Sequence, residues 1–186
     1  MPQIAILSCS VRTGRKSHRV ALYFQKLLAQ KQLAEASIID LAEYDFPLFH
    51  ERLRFLESPG EKVIEFAEKF RSADGLIIVT PEYNGGYPAA LKNVIDLLSY
   101  DWKHKPVAIS TVSSGSFGGM QVITSLQFSL WKLGALTAPA LFPVPKIEES
   151  FDGNGVPSDI EGTEKRALRF VEELLWGIEA RKKMND

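Results

Sequence analysis

The sequence LIIVTPEYNGGYP, residues 76–88, joins a strand to a helix and indicates the architecture of the whole chain. Leu76 to Val79 form an unbroken run of four apolar residues, which is typical of a strand buried on both faces of a parallel sheet. A helical pattern runs from Ala89 to Leu98. The segment between them therefore follows the carboxyl end of a buried strand, where open α/β sheets bind their ligands.

The composition of this segment suits a flat ligand. Asn84-Gly85-Gly86 allows the backbone to turn tightly and to approach a ligand closely. Tyr83 and Tyr87 offer aromatic faces with polar tips, and Pro88 suits the first position of the following helix. Composition alone leaves an ordinary strand-to-helix turn as an equal alternative.

The pattern of a buried strand followed by a helix recurs along the chain. Strands are predicted at residues 4–7, 36–41, 76–80, 106–112 and 136–142, and helices at 18–32, 59–71, 89–98, 120–133 and 159–182. A capping box at Ser58–Glu61, with Pro59 at the first helical position, is expected to open the second helix. Right-handed crossovers then predict a single doubly wound α/β domain, residues 1–186, with a parallel sheet of order 2-1-3-4-5.

A polar loop, residues 8–17, separates the first strand from its helix. Its hydroxyl and guanidinium side chains include Ser10, Thr13, Ser17, Arg12 and Arg15. Such groups at a helix N-terminus suit an anion. The dinucleotide fingerprint is absent, and Arg15 interrupts the P-loop pattern. The loop therefore predicts a site for one terminal phosphate, as in a mononucleotide such as FMN, with a solvated basic loop as the alternative.

The segment SSGSFGG, residues 113–119, follows the fourth predicted strand and lies on the same edge of the sheet. Glycine and serine expose backbone N–H groups that stabilise negative charge on a ligand carbonyl. Considered in isolation, this segment is equally well explained as a flexible linker.

The run PEYNGGYPAALKNVIDL, residues 81–97, resembles the signature of the NAD(P)H-dependent FMN reductase family. That family includes quinone, chromate and azo-dye reductases with a flavodoxin-like fold. The resemblance implies that Pro81, Glu82, Tyr83 and Asn84 line the isoalloxazine ring. The segment matching Ser113, Ser114, Gly115 and Ser116 flanks the same ring in the family.

Residues 8–19 resemble the family's first motif, in which a Gly-Ser-x-Arg sequence precedes the helix. By this resemblance Ser10, Arg12 and Ser17 hold the FMN phosphate, with His18 beside it. Cys9 stands where the family usually has glycine, and this departure bears on how closely the backbone approaches the phosphate. From its surroundings Cys9 is either a small buried residue at the strand end or a reactive thiol.

The resemblance implies a flavin-dependent reductase that takes hydride from NADPH or NADH and reduces a small-molecule acceptor such as a quinone. No side chain is expected to act as an acid or base, and Glu82 is implied to contact the flavin or to support the loop. A homodimer or a dimer of dimers is expected, with flavin near the interface. The alternatives are a flavodoxin-type electron carrier, which the near-neutral charge disfavours, and a receiver domain, whose acidic cluster is missing at Ser8–Ser10.

Overall composition excludes several classes of function. The chain has 186 residues, 45% hydrophobic, with a net charge of −1, so no basic field for nucleic acid is expected. A single cysteine, no signal-peptide pattern and no apolar run of membrane-spanning length favour a cytoplasmic protein. His50 is interpreted as a surface histidine rather than a proton donor. The apolar loop around Phe46–Phe49 is either a wall of the site, a subunit contact or part of its own core.

Overall fold

In the computed structural model, which describes residues 1–185, the chain forms a five-stranded parallel sheet of order β2-β1-β3-β4-β5. The strands are β1 (Gln3–Ser8), β2 (Glu35–Asp40), β3 (Gly75–Pro81), β4 (Pro106–Val112) and β5 (Leu136–Val144). The predicted fold class and strand order are confirmed.

Seven α-helices connect the strands or follow the sheet within the described residues. They are α1 (His18–Gln30), α2 (Leu41–Tyr44), α3 (Glu61–Ser72), α4 (Ala89–Leu97), α5 (Gln121–Lys132), α6 (Ile147–Ser150) and α7 (Ile160–Asn185), with a 3₁₀ turn at Leu53–Phe55. The sequence pattern did not reveal α2 or α6, because each is a single turn of four residues. None of the helices in residues 1–185 is long and apolar enough to cross a membrane.

The helices cover both faces of the sheet and bury two separate cores. Alternate residues of β1 point to opposite faces: Ala5 and Leu7 join the core under α3, α4 and α5, whereas Ile4 and Ile6 join the core under α1 and α7. Because both faces are covered, β3 is buried from Gly75 to Thr80. This explains the continuous apolar run that the sequence shows at this strand.

Three helix starts differ from the prediction. The capping box at Ser58–Glu61 does not form, since Gly60 is the N-cap of α3 and no side chain caps it. Pro88 is likewise the N-cap of α4, not its first helical residue. Leu41 was predicted to end a strand but opens α2, because the Asp40 side chain accepts a hydrogen bond from Ala42 N at 3.1 Å.

The sheet register brings three loops to one place. Ser8 at the end of β1 pairs with Val79, and Pro81 at the end of β3 pairs with Val112 of β4. The segments that follow these strands are the β1 loop (residues 9–17), the β3 loop (residues 82–88) and the β4 loop (residues 113–120). They meet at the carboxyl edge of the sheet, where a doubly wound fold binds its ligand.

Candidate functional site

A cavity of about 210 Å³, open to solvent, lies between the three loops. Its lining from the β1 loop is Ser10, Arg12, Gly14, Arg15, Lys16 and Ser17; from β3, β4 and their loops it is Pro81, Glu82, Tyr83, Val112, Ser113 and Ser114; and from α6 it is Ile147 and Glu148. The structure thus brings together eight of the twelve residues predicted for the site.

Ser17 is the most informative of these residues. It immediately precedes α1, is only 3% exposed, and its Oγ has no hydrogen-bond partner among residues 1–185. A buried hydroxyl without a partner costs about 1–3 kcal/mol. The positive end of the α1 dipole and the free backbone N–H groups of a helix start favour an anion at the same point. An anionic oxygen bound here would satisfy this hydroxyl.

The two arginines of the β1 loop have different roles. Arg15 forms a bidentate ion pair with Asp40, and its Nη1 also donates to the Ser10 carbonyl at 2.8 Å. The hydrogen bonds to Asp40 raise the pKa of Arg15 above its ordinary value. Arg12 is exposed and has no ion-pair partner among the described residues, and its Cζ lies 5.9 Å from the centre of the Tyr83 ring. Arg12 is therefore the arginine that is available to a ligand.

The β3 loop turns back sharply and joins the β1 loop. Tyr83 N donates to Gly86 O at 2.8 Å, and Gly86 N donates to Tyr83 O at 3.1 Å. Asn84 and Gly85 between them have φ of 52° and 80°, as in the type I′ turns that close two-residue hairpins. This turn places Tyr83 Oη 2.6 Å from Ser10 Oγ, within hydrogen-bond distance.

Four predicted residues lie outside the cavity lining. Asn84 occupies the exposed tip of the type I′ turn, and Gly115 and Ser116 lie on the exposed outer part of the β4 loop. His18 lies behind the β1 loop, where its Nδ1 is 3.0 Å from Ser8 Oγ and 3.5 Å from Asp40 Oδ2. Because both neighbours share one ring nitrogen, His18 does not form the relay of a catalytic triad.

Residues of α6 complete the site and were missed from the sequence. Ile147 N donates to Ser113 O at 3.1 Å, which holds α6 against the β4 loop. Glu148 forms an ion pair with Lys16 of the β1 loop, and the hydrogen bond from Lys16 lowers the Glu148 pKa. The carboxyl end of β5 lies on the same edge of the sheet as the other loops. The predicted strand order was therefore a signal that the segment after β5 could contribute to the site.

The segment of residues 45–60, including His50, lies outside the cavity lining. Part of this segment packs onto the core, where Phe46 contacts Tyr44 and Phe66 and the Asn93 amide donates to Pro47 O at 2.7 Å. Leu48, Phe49 and Phe55 of the same segment are 84%, 39% and 50% exposed. His50 is exposed, as expected. Within residues 1–185, no group of three or more His, Cys, Asp or Glu side chains is arranged to hold a metal ion.

Comparison with known proteins shows what kind of protein has this site. The sequence model of the NADPH-dependent FMN reductase family matches residues 2–149. The chain belongs to this family. It is therefore an oxidoreductase that uses FMN and NAD(P)H, and this decides against the alternative of an electron carrier without its own enzymatic activity.

Individual relatives agree with this assignment. The chain is 33% identical over 138 residues to an NAD(P)H-dependent FMN reductase of Saccharomyces cerevisiae, a match that covers 67% of this chain and 71% of the relative. It is also 33% identical over 132 residues to a quinone reductase of Pseudomonas putida, covering 68% of each chain. The solved structure of FerB, a flavoenzyme NAD(P)H:(acceptor) oxidoreductase from Paracoccus denitrificans, superposes with a TM-score of 0.78. At 24% identity and 97% and 99% coverage, that likeness supports the fold.

The surroundings of Cys9 predict an unreactive thiol. Cys9 is fully buried, its Sγ donates to Leu7 O at 3.3 Å, and burial together with the Asp40 charge raises its pKa well above the ordinary value. Because the thiolate is the reactive species, the native protein should not react with a thiol reagent at about pH 8. The protein unfolded in guanidinium is the control, and its single cysteine should react with one equivalent of the reagent. Rapid labelling of the native protein would show instead that Cys9 is an accessible, activated thiol.

Proposed function

We propose that FMN binds in the cavity between the β1, β3 and β4 loops and that the enzyme reduces quinones with electrons from NADPH or NADH. The observation that carries the proposal is the buried, unpartnered Ser17 hydroxyl at the start of α1, inside that cavity. In this proposal residues 1–186 form one FMN-binding domain.

The phosphate is assigned to the β1 loop because its unengaged polar groups point to an anion. Ser17 supplies a hydroxyl without a partner and Arg12 supplies a cation. Ser10 adds a second hydroxyl on the cavity lining, which is already within hydrogen-bond distance of Tyr83. A charge-assisted hydrogen bond to phosphate is stronger than one between neutral groups. Cys9 in place of glycine does not interfere, because its side chain points into the core, away from the lining.

The isoalloxazine ring is assigned to the end of β3 and the start of the β4 loop. Pro81, Glu82 and Tyr83 form one wall there, and Ser113 and Ser114, which follow the neighbouring strand, form another. The Glu82 N–H donates to Val112 O at 3.3 Å and the Ser113 N–H to Val144 O at 3.0 Å. Both walls are therefore fixed to the sheet before a ligand binds, which reduces the ordering cost of binding.

Bound FMN supplies the chemistry by accepting a hydride from NAD(P)H and delivering the electrons to the second substrate. The protein contributes binding, orientation and electrostatics. The proposed reaction needs no side chain of the lining to act as an acid or base. The open side of the cavity gives substrates access to a ligand seated there. Quinones are proposed as the acceptor class because the relative from Pseudomonas putida is a quinone reductase.

We also propose that the protein is a homodimer that associates through an apolar face on α5. This α5 face consists of Phe128 and Trp131 on α5, which are 61% and 67% exposed with ring centroids 5.7 Å apart, and of Phe117 and Met120 in the preceding β4 loop, which are 85% and 44% exposed. Large apolar side chains grouped on one side of an amphipathic helix are typical of a protein–protein contact. Helix α5 is joined to the β3 loop by the hydrogen bond of 2.9 Å between Tyr87 Oη and Ser129 Oγ.

The phosphate assignment is tested with Ser17→Ala. Loss of a charge-assisted hydrogen bond should weaken FMN binding about tenfold or more, measured by quenching of flavin fluorescence on titration with the apoprotein. Ser72→Ala is the matched control, since Ser72 is exposed on α3 and bonds only the Lys69 carbonyl of its own helix. Equal FMN affinity of Ser17→Ala and the control would contradict the assignment of the phosphate to this loop.

The proposed interface is tested with Trp131→Glu. A charge in the centre of an apolar contact should convert a dimer to a monomer, because burying an unpaired carboxylate is costly. Size-exclusion chromatography with light scattering measures the change. Trp176→Glu, a similarly exposed tryptophan on α7, should leave the dimer intact. A Trp131→Glu protein that stays dimeric would place the interface elsewhere.

A further inference from the structure

Asp40 lies directly behind the β1 loop, at the carboxyl end of β2. The residue is 4% exposed, and its carboxylate pairs in a bidentate manner with the Arg15 guanidinium. One carboxylate oxygen also accepts from Ala42 N at 3.1 Å, and the other lies 3.5 Å from His18 Nδ1. The carboxylate is thus held in place from several directions and lies outside the cavity lining.

Arg15 transmits this fixed position to the β1 loop. Its Nη1 donates to Ser10 O at 2.8 Å, and its backbone N–H donates to Arg12 O at 3.2 Å. The two residues attached to Arg15 in this way, Ser10 and Arg12, are among the three assigned to the FMN phosphate. A polar loop without such attachments would sample many conformations, and ordering it would oppose binding.

If only its charge mattered, Asp40 would weaken phosphate binding instead of supporting it. A carboxylate close to a phosphate site repels the phosphate, so its removal should strengthen binding if charge alone mattered. The bidentate pair with Arg15 compensates this charge and uses it to hold the loop. The two views therefore predict opposite signs for the effect of neutralising Asp40.

We infer that Asp40 is a positioning residue for the FMN phosphate: it holds Arg15, which holds Ser10 and Arg12 in the conformation that binds the phosphate. This inference rests on the proposed function. It also assigns Arg15 to the support of the loop and leaves Arg12 as the guanidinium that contacts the phosphate.

Asp40→Asn in the full-length apoprotein tests the inference with two ligands, FMN and riboflavin, which lacks the phosphate. Loss of the bidentate pair should weaken FMN binding about tenfold and leave riboflavin binding unchanged, both measured by quenching of flavin fluorescence. Stronger FMN binding would show that Asp40 acts only as a nearby charge. Equal weakening of both flavins would show a general structural role, and either result overturns the inference.

Arg15→Lys keeps the charge but not the two-pronged geometry, and it carries the test if Asp40→Asn does not fold by circular dichroism. It should also weaken FMN binding and spare riboflavin, because lysine does not replace a bidentate arginine. Combining the two substitutions should add little to either one, since each breaks the same pair. Wild-type FMN affinity in Arg15→Lys, or independent and multiplicative effects in the double variant, would overturn the inference.

Asp101→Asn provides the matched control. Asp101 forms a bidentate pair with Arg71 at 2.7 and 3.1 Å, remote from the cavity lining, and its loss should change neither affinity. FMN binding by the wild-type protein distinguishes a failure of the proposed function from a failure of the inference about Asp40. A wild type that binds no FMN would overturn the proposed function, whereas a wild type that binds FMN no better than Asp40→Asn would overturn the inference about Asp40 alone.

Discussion

The parallel pairing of β1 with β3 determines which parts of the chain can meet at the site. Because β1 lies between β2 and β3, the connections from these strands leave the sheet at neighbouring points. Ser8 opposite Val79 brings the β1 and β3 loops close enough for the hydrogen bond between Ser10 and Tyr83. A shift of one residue in this register would turn every inward side chain of β1 to the other face, so the two buried cores and the site depend on the same pairing.

The polar groups near the cavity fall into two classes. Most are already engaged: Arg15 with Asp40, Lys16 with Glu148, and Tyr83 with Ser10. Ser17 and Arg12 lack such partners within the described part of the chain. A preorganised site needs both classes, because engaged groups hold the geometry while unengaged groups remain available to the ligand. The separation between them supports the proposed place of the phosphate.

Much of this arrangement was predictable from sequence because the underlying signals are local. Apolar runs and helical spacing predicted the five strands, right-handed crossovers predicted their order, and the three polar loops were located by the strands that precede them. The distinction between Arg12 and Arg15 was not predictable. It depends on Asp40, which is 25 residues from Arg15 in the chain and becomes its neighbour only when β2 pairs with β1.

The remaining differences have similar causes. Asn84 lies outside the cavity because two successive positive φ angles turn the tip of the β3 loop outward, a detail that the composition NGG allowed but did not specify. The contribution of α6 was missed because four residues are too few for helical periodicity to be visible. His18 lies behind the loop because Ser8 and Asp40 hold its ring there.

We propose that this cavity binds FMN and that NAD(P)H reduces the bound flavin. The most direct test is a visible absorption spectrum of the purified full-length protein, supplied with FMN if it is colourless, before and after anaerobic addition of NADPH or NADH. We predict the absorption of an oxidised flavin retained by the protein and its bleaching by at least one of the two nucleotides. A protein that retains no FMN, or a bound flavin that neither nucleotide bleaches, would contradict the account.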